Sequence, residues 1–231
     1  MSNIAKALTG VWIAGVIAVA FLWLPPAQGF RSPEAARIVV FHVPCAILTF
    51  VAFLLNAAYS WGYLRTREPL TDAKANIAAE LGMLFAVLAT VTGSLFALEQ
   101  WGSAWNWDPR ETSIVMLMLV YAAYFVLRGA VEERTKRARL SAAYALLAFP
   151  AMVFLIWILP RIVESLHPSN TLFSRSGLDP MYRLTLWSFF AGLLAVFVWM
   201  FRLRLRVEIA ETRLRQQMSR EPETTLTGAK R

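Results

Sequence analysis

Sulfur and imidazole are scarce: the 231-residue chain has one cysteine, Cys45, and two histidines, His42 and His167. A single cysteine excludes an internal disulfide, a CxxC redox pair and a CxxCH site for covalent haem attachment to this chain. Cys45 lies in an apolar run and reads as a small packing residue. Two histidines without an external cysteine are too few for a closed structural zinc site. Charge is scarce as well. Only 16% of residues are Asp, Glu, Lys or Arg against 58% hydrophobic, and the mean hydropathy is +0.50, which excludes the composition of a soluble domain. There is no internal repeat, and no run is left over for a separate soluble core.

Long apolar runs fill the chain instead. Spanning a bilayer takes about 20 mostly apolar residues, and six such stretches occur, at 8–24, 38–64, 77–98, 109–128, 141–159 and 180–203. These predict an all-α integral membrane protein. It is a bundle of six transmembrane helices in one membrane domain, 1–231, with a tryptophan-rich external segment between helices 3 and 4. Lipid offers the backbone no hydrogen-bond partner, so helices must satisfy it internally. Lys6 before the first run resembles the start of a signal peptide, but Pro25 and Pro26 follow in place of a small-residue cleavage pattern, so the run reads as a membrane anchor.

The cations orient the bundle. Of the 23 Lys and Arg, 17 fall in the N-terminal tail, the loops near 65–76 and 128–140, and the C-terminal region. Six lie on the opposite side: Arg31, Arg37, Arg110, Arg161, Arg175 and Arg183. The positive-inside rule then places both termini, and a basic tail at 207–231, in the cytoplasm. The net charge of +8 is a topology signal. Arg202, Arg204 and Arg206 at the membrane exit suit anionic lipid head groups, not nucleic acid.

This topology collects the chemically informative residues on the outer face. His42 lies one turn inside the second span, behind Ser32-Pro33-Glu34, which reads as an N-cap, a first-turn proline and an acidic first turn. Pro44 removes a bond to the Val40 carbonyl, and the resulting kink would serve either to aim His42 or merely to pack the helix. His167 lies in the outer loop between the fifth and sixth spans. Imidazoles from two parts of a chain can ligate haem iron from opposite sides.

Between the histidines in sequence runs Trp101-Gly102-Ser103-Ala104-Trp105-Asn106-Trp107-Asp108. Five other tryptophans near span ends fit an interfacial belt, but three in seven residues exceed it. If helical, the segment puts Trp101 and Trp105 on one face, an apolar surface suited to a planar macrocycle, with Gly102 allowing close approach. Asp108-Pro109-Arg110-Glu111 has the form of a capped helix start, and Asp179-Pro180 repeats it before the sixth span. Helices two, four and six thus present N-terminal ends outward. With Arg110, Arg161, Arg175 and Arg183 they would suit a dianion such as two haem propionates. On these residues three classes stay open: a haem-binding assembly factor, a haem b or quinone electron carrier, and a cofactor-free permease or scaffold.

The stretch Trp101 to Thr112 resembles the tryptophan-rich motif WGxxWxWDxRxT of the haem-handling proteins of cytochrome c biogenesis. Every fixed letter is matched, by Trp101, Gly102, Trp105, Trp107, Asp108, Arg110 and Thr112. Six spans with an external histidine on each side of the motif are similar to the small branch of that superfamily, the haem exporter C family. The larger synthase branch has a WDPKET form close to residues 107–112, but also more spans and intramembrane histidines than this chain has. The resemblance implies haem b held at the periplasmic face of a bacterial inner membrane. His42 and His167 would be its axial ligands, with Trp101, Gly102, Trp105, Trp107, Asp108 and Arg110 forming the site. It also implies three partners: a periplasmic haem chaperone, ATP-binding-cassette transporter subunits and a small single-span subunit.

The charge asymmetry makes a direct prediction. In a Cys45→Ser background, a membrane-impermeant thiol reagent added from outside should label Asn106→Cys and leave Thr135→Cys unlabelled. The opposite pattern would turn the histidines and tryptophans to the cytoplasm.

Overall fold

The computed structural model describes residues 2–167 and 178–228, so Arg175 lies outside the described residues. Six of its helices are long and apolar enough to cross a membrane, and no strand occurs among the described residues. They are α1 (Asn3–Leu22), α2 (Val39–Thr66), α3 (Pro69–Trp101), α4 (Pro109–Ala130), α5 (Arg134–Val153) and a last helix, α6 (Pro180–Gly228). The helices overrun the apolar runs at several ends. α3 begins at Pro69, well before residue 77, and α6 carries the basic segment beyond 207 as a continuation of the same helix.

Local chemistry sets the boundaries. α3 starts with Pro69 in its first turn behind an extended Glu68, and stops where Gly102 turns left-handed at φ 84 and donates its N–H to the Leu98 carbonyl. α5 runs through Pro150 and then widens into a π-helical turn at Phe154–Ile158, closed by the Leu159 N–H on the Phe154 carbonyl, before a last turn at Leu159–Ile162. Pro160 sits in that last turn and has no N–H with which to continue the α ladder.

The start of α2 departs from expectation. Ser32 does not cap it: the chain enters through a 3-10 turn at Ala35–Ile38, where Glu34 makes no side-chain capping bond. Instead the Gln100 side chain clamps the Ser32 backbone from α3. Its Nε2 donates to the Ser32 carbonyl at 2.9 Å and its Oε1 accepts the Ser32 N–H at 3.2 Å. α2 then continues through Pro44 unbroken.

α3 packs most extensively on α2. Its buried residues Ala75, Ala79, Gly82, Ala86 and Ala89 follow the four-three spacing of one helix face. Small residues allow two helices to approach closely where lipid supplies no hydrophobic drive, so dispersion between the backbones does the work. The same spacing leads on to Gly93, Ala97 and the buried Gln100, so one stripe carries both the packing and the clamp.

Far from that end, polar groups are paired. Arg128 of α4 meets Asp72 of α3 through two bonds, 2.7 and 3.0 Å long. Glu80, the ionisable residue conspicuous within a span, accepts from Asn76 at 2.6 Å and from Arg204 of α6 at 3.1 Å. With the Asp72–Arg128 side chains only 16% and 13% exposed, removing one partner strands the other charge. Asp72→Ala should therefore lower stability in detergent by up to about 3 kcal/mol, and Asp72→Ala with Arg128→Met should recover most of it. Melting curves of the two variants check this, and equal losses would refute the pairing argument.

Candidate functional site

The tryptophan segment is not a helix. α3 ends at Trp101, and residues 102–108 form a turn tied by Ser103, whose hydroxyl donates to the Trp105 carbonyl at 2.8 Å. The Asn106 amide donates back to the Ser103 carbonyl at 2.9 Å. Glu111 of α4 then accepts two backbone N–H groups, from Asn106 at 2.7 Å and Asp108 at 3.3 Å. Aiming both flanking N–H groups at one carboxylate leaves Trp107 between them with φ 57, left-handed for a bulky residue. That conformation costs about 1–2 kcal/mol and leaves the indole 77% exposed.

The expectation of Trp101 and Trp105 on one helical face therefore fails, because Gly102 reverses the chain between them. The indoles form two groups. Trp101 packs edge-on to Phe96 with centroids 5.7 Å apart and to His167 at 4.8 Å. Trp105 and Trp107 make a T-shaped pair at 5.9 Å. Gly102 has two duties: it adopts the left-handed cap, and a Cβ there would come within 2.7 Å of Arg31 Nη1.

Asp108 joins α4 to the second histidine. It caps α4 by accepting the Arg110 N–H at 2.9 Å, with Pro109 behind it and Glu111 completing a capping box. The same carboxylate accepts the Ser165 hydroxyl at 2.9 Å, the Leu166 N–H at 2.6 Å and His167 Nδ1 at 2.9 Å. Burial alone would raise the pKa of Asp108, but the Arg110 and Leu166 backbone bonds, His167 and Ser165 outweigh it and hold the carboxyl below its usual range. Burial is the larger influence on His167 and lowers its pKa in spite of Asp108, which favours the neutral imidazole. Because a carboxylate only accepts, the proton sits on Nδ1 and the lone pair on Nε2.

His42 repeats this arrangement with neutral partners. Its Nδ1 lies 3.0 Å from the Ala89 carbonyl and 3.2 Å from Thr92 Oγ1, while the Thr92 hydroxyl itself donates to the Leu88 carbonyl at 2.7 Å. A carbonyl only accepts, so His42 also carries its proton on Nδ1. The ring lies over Gly93, where a Cβ would come 2.9 Å from Cε1. The two imidazoles and Arg110 are within electrostatic reach of one another.

The arginines divide. Arg110 Nε is buried with no hydrogen-bond partner among the described residues. Arg161 instead folds back on Trp157, bonding its carbonyl and lying over its ring, and Arg183 bonds the Leu178 carbonyl. Two of the three helix N-termini expected to attract a dianion, those of α4 and α6, are already met by the chain's own carboxylates, Asp108 and Asp179. Sequence reasoning missed Gln100, Gly93, Thr92 and Ser165. The small-residue spacing of α3 signals Gly93 and Gln100, whereas nothing local marks Ser165.

Fold and site together define a polytopic all-helical membrane protein in which two Nδ1-tethered histidines and a tryptophan turn meet at one end of the bundle. A family model described as heme exporter protein C matches residues 1–220, and the chain belongs to that family. Heme exporter protein C of Paracoccus denitrificans is 29% identical over 201 residues, covering 84% of this chain and 83% of the relative. The protein of that name from Bradyrhizobium diazoefficiens is 30% identical over 193 residues, 80% of this chain and 71% of the relative. The one from Escherichia coli K12 is 29% identical over 186 residues, 78% and 74%.

Gly93→Val should push the His42 ring off Ala89 without touching His167. With only two histidines in the chain, nitrogen-15 histidine NMR in micelles resolves this: one imidazole should shift and the other stay. Movement of both, or of neither, would contradict the contact.

Proposed function

We propose that the chain holds haem b at the outer face of the bacterial inner membrane and hands it to a periplasmic haem chaperone for c-type cytochrome assembly. His42 and His167 would be the axial ligands. The observation that carries this is the shared tethering of both rings through Nδ1, which leaves two neutral Nε2 lone pairs at one site. Among the described residues no group of three or more His, Cys, Asp or Glu is placed to hold a bare metal ion. Haem needs only two protein ligands, because the porphyrin supplies the four in-plane nitrogens and carries two propionates.

The remaining residues suit such a guest. Arg110 offers a cation whose buried Nε lacks a partner among the described residues, as a propionate would require. Trp101 braces the His167 ring from its edge, and Trp105 and Trp107 form a second, T-shaped pair of apolar indoles on the turn that follows. The relatives' name, heme exporter protein C, supports haem as the cargo. The chaperone, the ATP-binding-cassette subunits and the single-span subunit are the partners this reading expects, with both termini on the cytoplasmic side.

The reading is tested by coordination. Purified protein should show a six-coordinate, low-spin haem spectrum, and His42→Gly or His167→Gly should lose haem or become five-coordinate. Added imidazole should restore part of the binding by filling the vacated position. Six-coordinate haem in both single variants without added ligand would remove the histidines from the site.

A further inference from the structure

The two tethers differ in charge and in what they hold. His42 stands on α2 against α3, and its Nδ1 faces a backbone carbonyl and a hydroxyl. His167 stands on a short turn beyond the end of α5, and its Nδ1 faces a carboxylate whose side chain is 1% exposed. The Ser165-Leu166-His167 turn reaches that carboxylate through three donors: the Ser165 hydroxyl, the Leu166 N–H and the His167 ring. The Ser165 hydroxyl also accepts the His167 N–H at 3.1 Å, closing the turn on itself.

We propose that Asp108 is the positioning residue for His167. It locks the ring with Nε2 as the donor atom, makes His167 the more strongly donating of the two ligands, and ties that ligand's hold to the first turn of α4. A carboxylate hydrogen-bonded to the far nitrogen of a ligating imidazole raises the ligand's basicity, and losing it typically weakens metal binding by roughly 10- to 100-fold. His42, backed by a neutral carbonyl, receives weaker support, because that acceptor carries no full charge. The iron ligand on the turn therefore depends on one charge, whereas the ligand on the helix depends on packing against Ala89 and Gly93.

The inference rests on the ligation reading above, and its test separates the two. Histidine nitrogen-15 NMR of haem-free protein in a His42→Gly background contains only the His167 ring. It should show a protonated Nδ1 strongly hydrogen-bonded to the carboxylate, and a ring with a bare Nδ1 and its proton on Nε2 would overturn the proposal with no variant at Asp108 needed. In otherwise unaltered holoprotein, Asp108→Asn keeps an equally good helix cap but removes the charge. Helix content should hold, since the cap is kept, while haem transfer to apomyoglobin should quicken by roughly 10- to 100-fold and the haem midpoint potential should rise. Transfer rate and potential equal to the parent's would overturn the positioning role. A six-coordinate spectrum in His167→Gly without added ligand would overturn the ligation reading instead.

Discussion

The carboxylate of Asp108 is almost fully enclosed, the residue being 4% exposed, and an ionised group so placed is tolerated only when donors replace its lost water. Four donor groups do so: the Arg110 N–H, the Ser165 hydroxyl, the Leu166 N–H and His167 Nδ1. Each brings a different part of the molecule. The first starts α4, the second and third hold the turn after α5, and the last aims an imidazole. Satisfying one buried charge therefore assembles half of the site. The strained Trp107 belongs to the same arrangement, because Glu111 completes the cap by drawing the flanking N–H groups of Asn106 and Asp108 toward itself.

The other half is assembled by packing. Ala75, Ala79, Gly82, Ala86 and Ala89 let α3 lie close to α2, and Gly93 extends that closeness to the ring of His42. Gln100, farther along the same face, clamps Ser32 and so fixes where the chain enters α2. His42 and Trp101 thus share a frame, at the same end of one helix–helix interface. This division has a functional sense. On the proposed haem-holding function, one ligand would be built into the bundle and the other would sit on a turn held by the Asp108 carboxylate.

Membership of the heme exporter protein C family agrees with the concentration of chemistry at one end. Within the helices Asp72 pairs with Arg128 and Glu80 with Arg204. Such pairs stabilise helix contacts and do not by themselves line a route through the membrane.

Much of the fold was legible without coordinates, because lipid as solvent leaves a backbone few options. Apolar run length predicted six spanning helices, and Asp108-Pro109 with Glu111 announced the start of α4 through a capping pattern that operates within four residues. His42, His167 and the tryptophans were identifiable as candidates by rarity and clustering. The sequence could not reveal that Asp108 acts on residues 57 to 59 positions away. Nor could it show that Gly102 would separate Trp101 from Trp105, or that Gln100 would replace Ser32 in ordering the entry to α2. Length, caps and hydropathy are local properties that a sequence carries openly. Which donor meets a buried acceptor, and which ring lies against which glycine, is decided only when distant helices come to share one space.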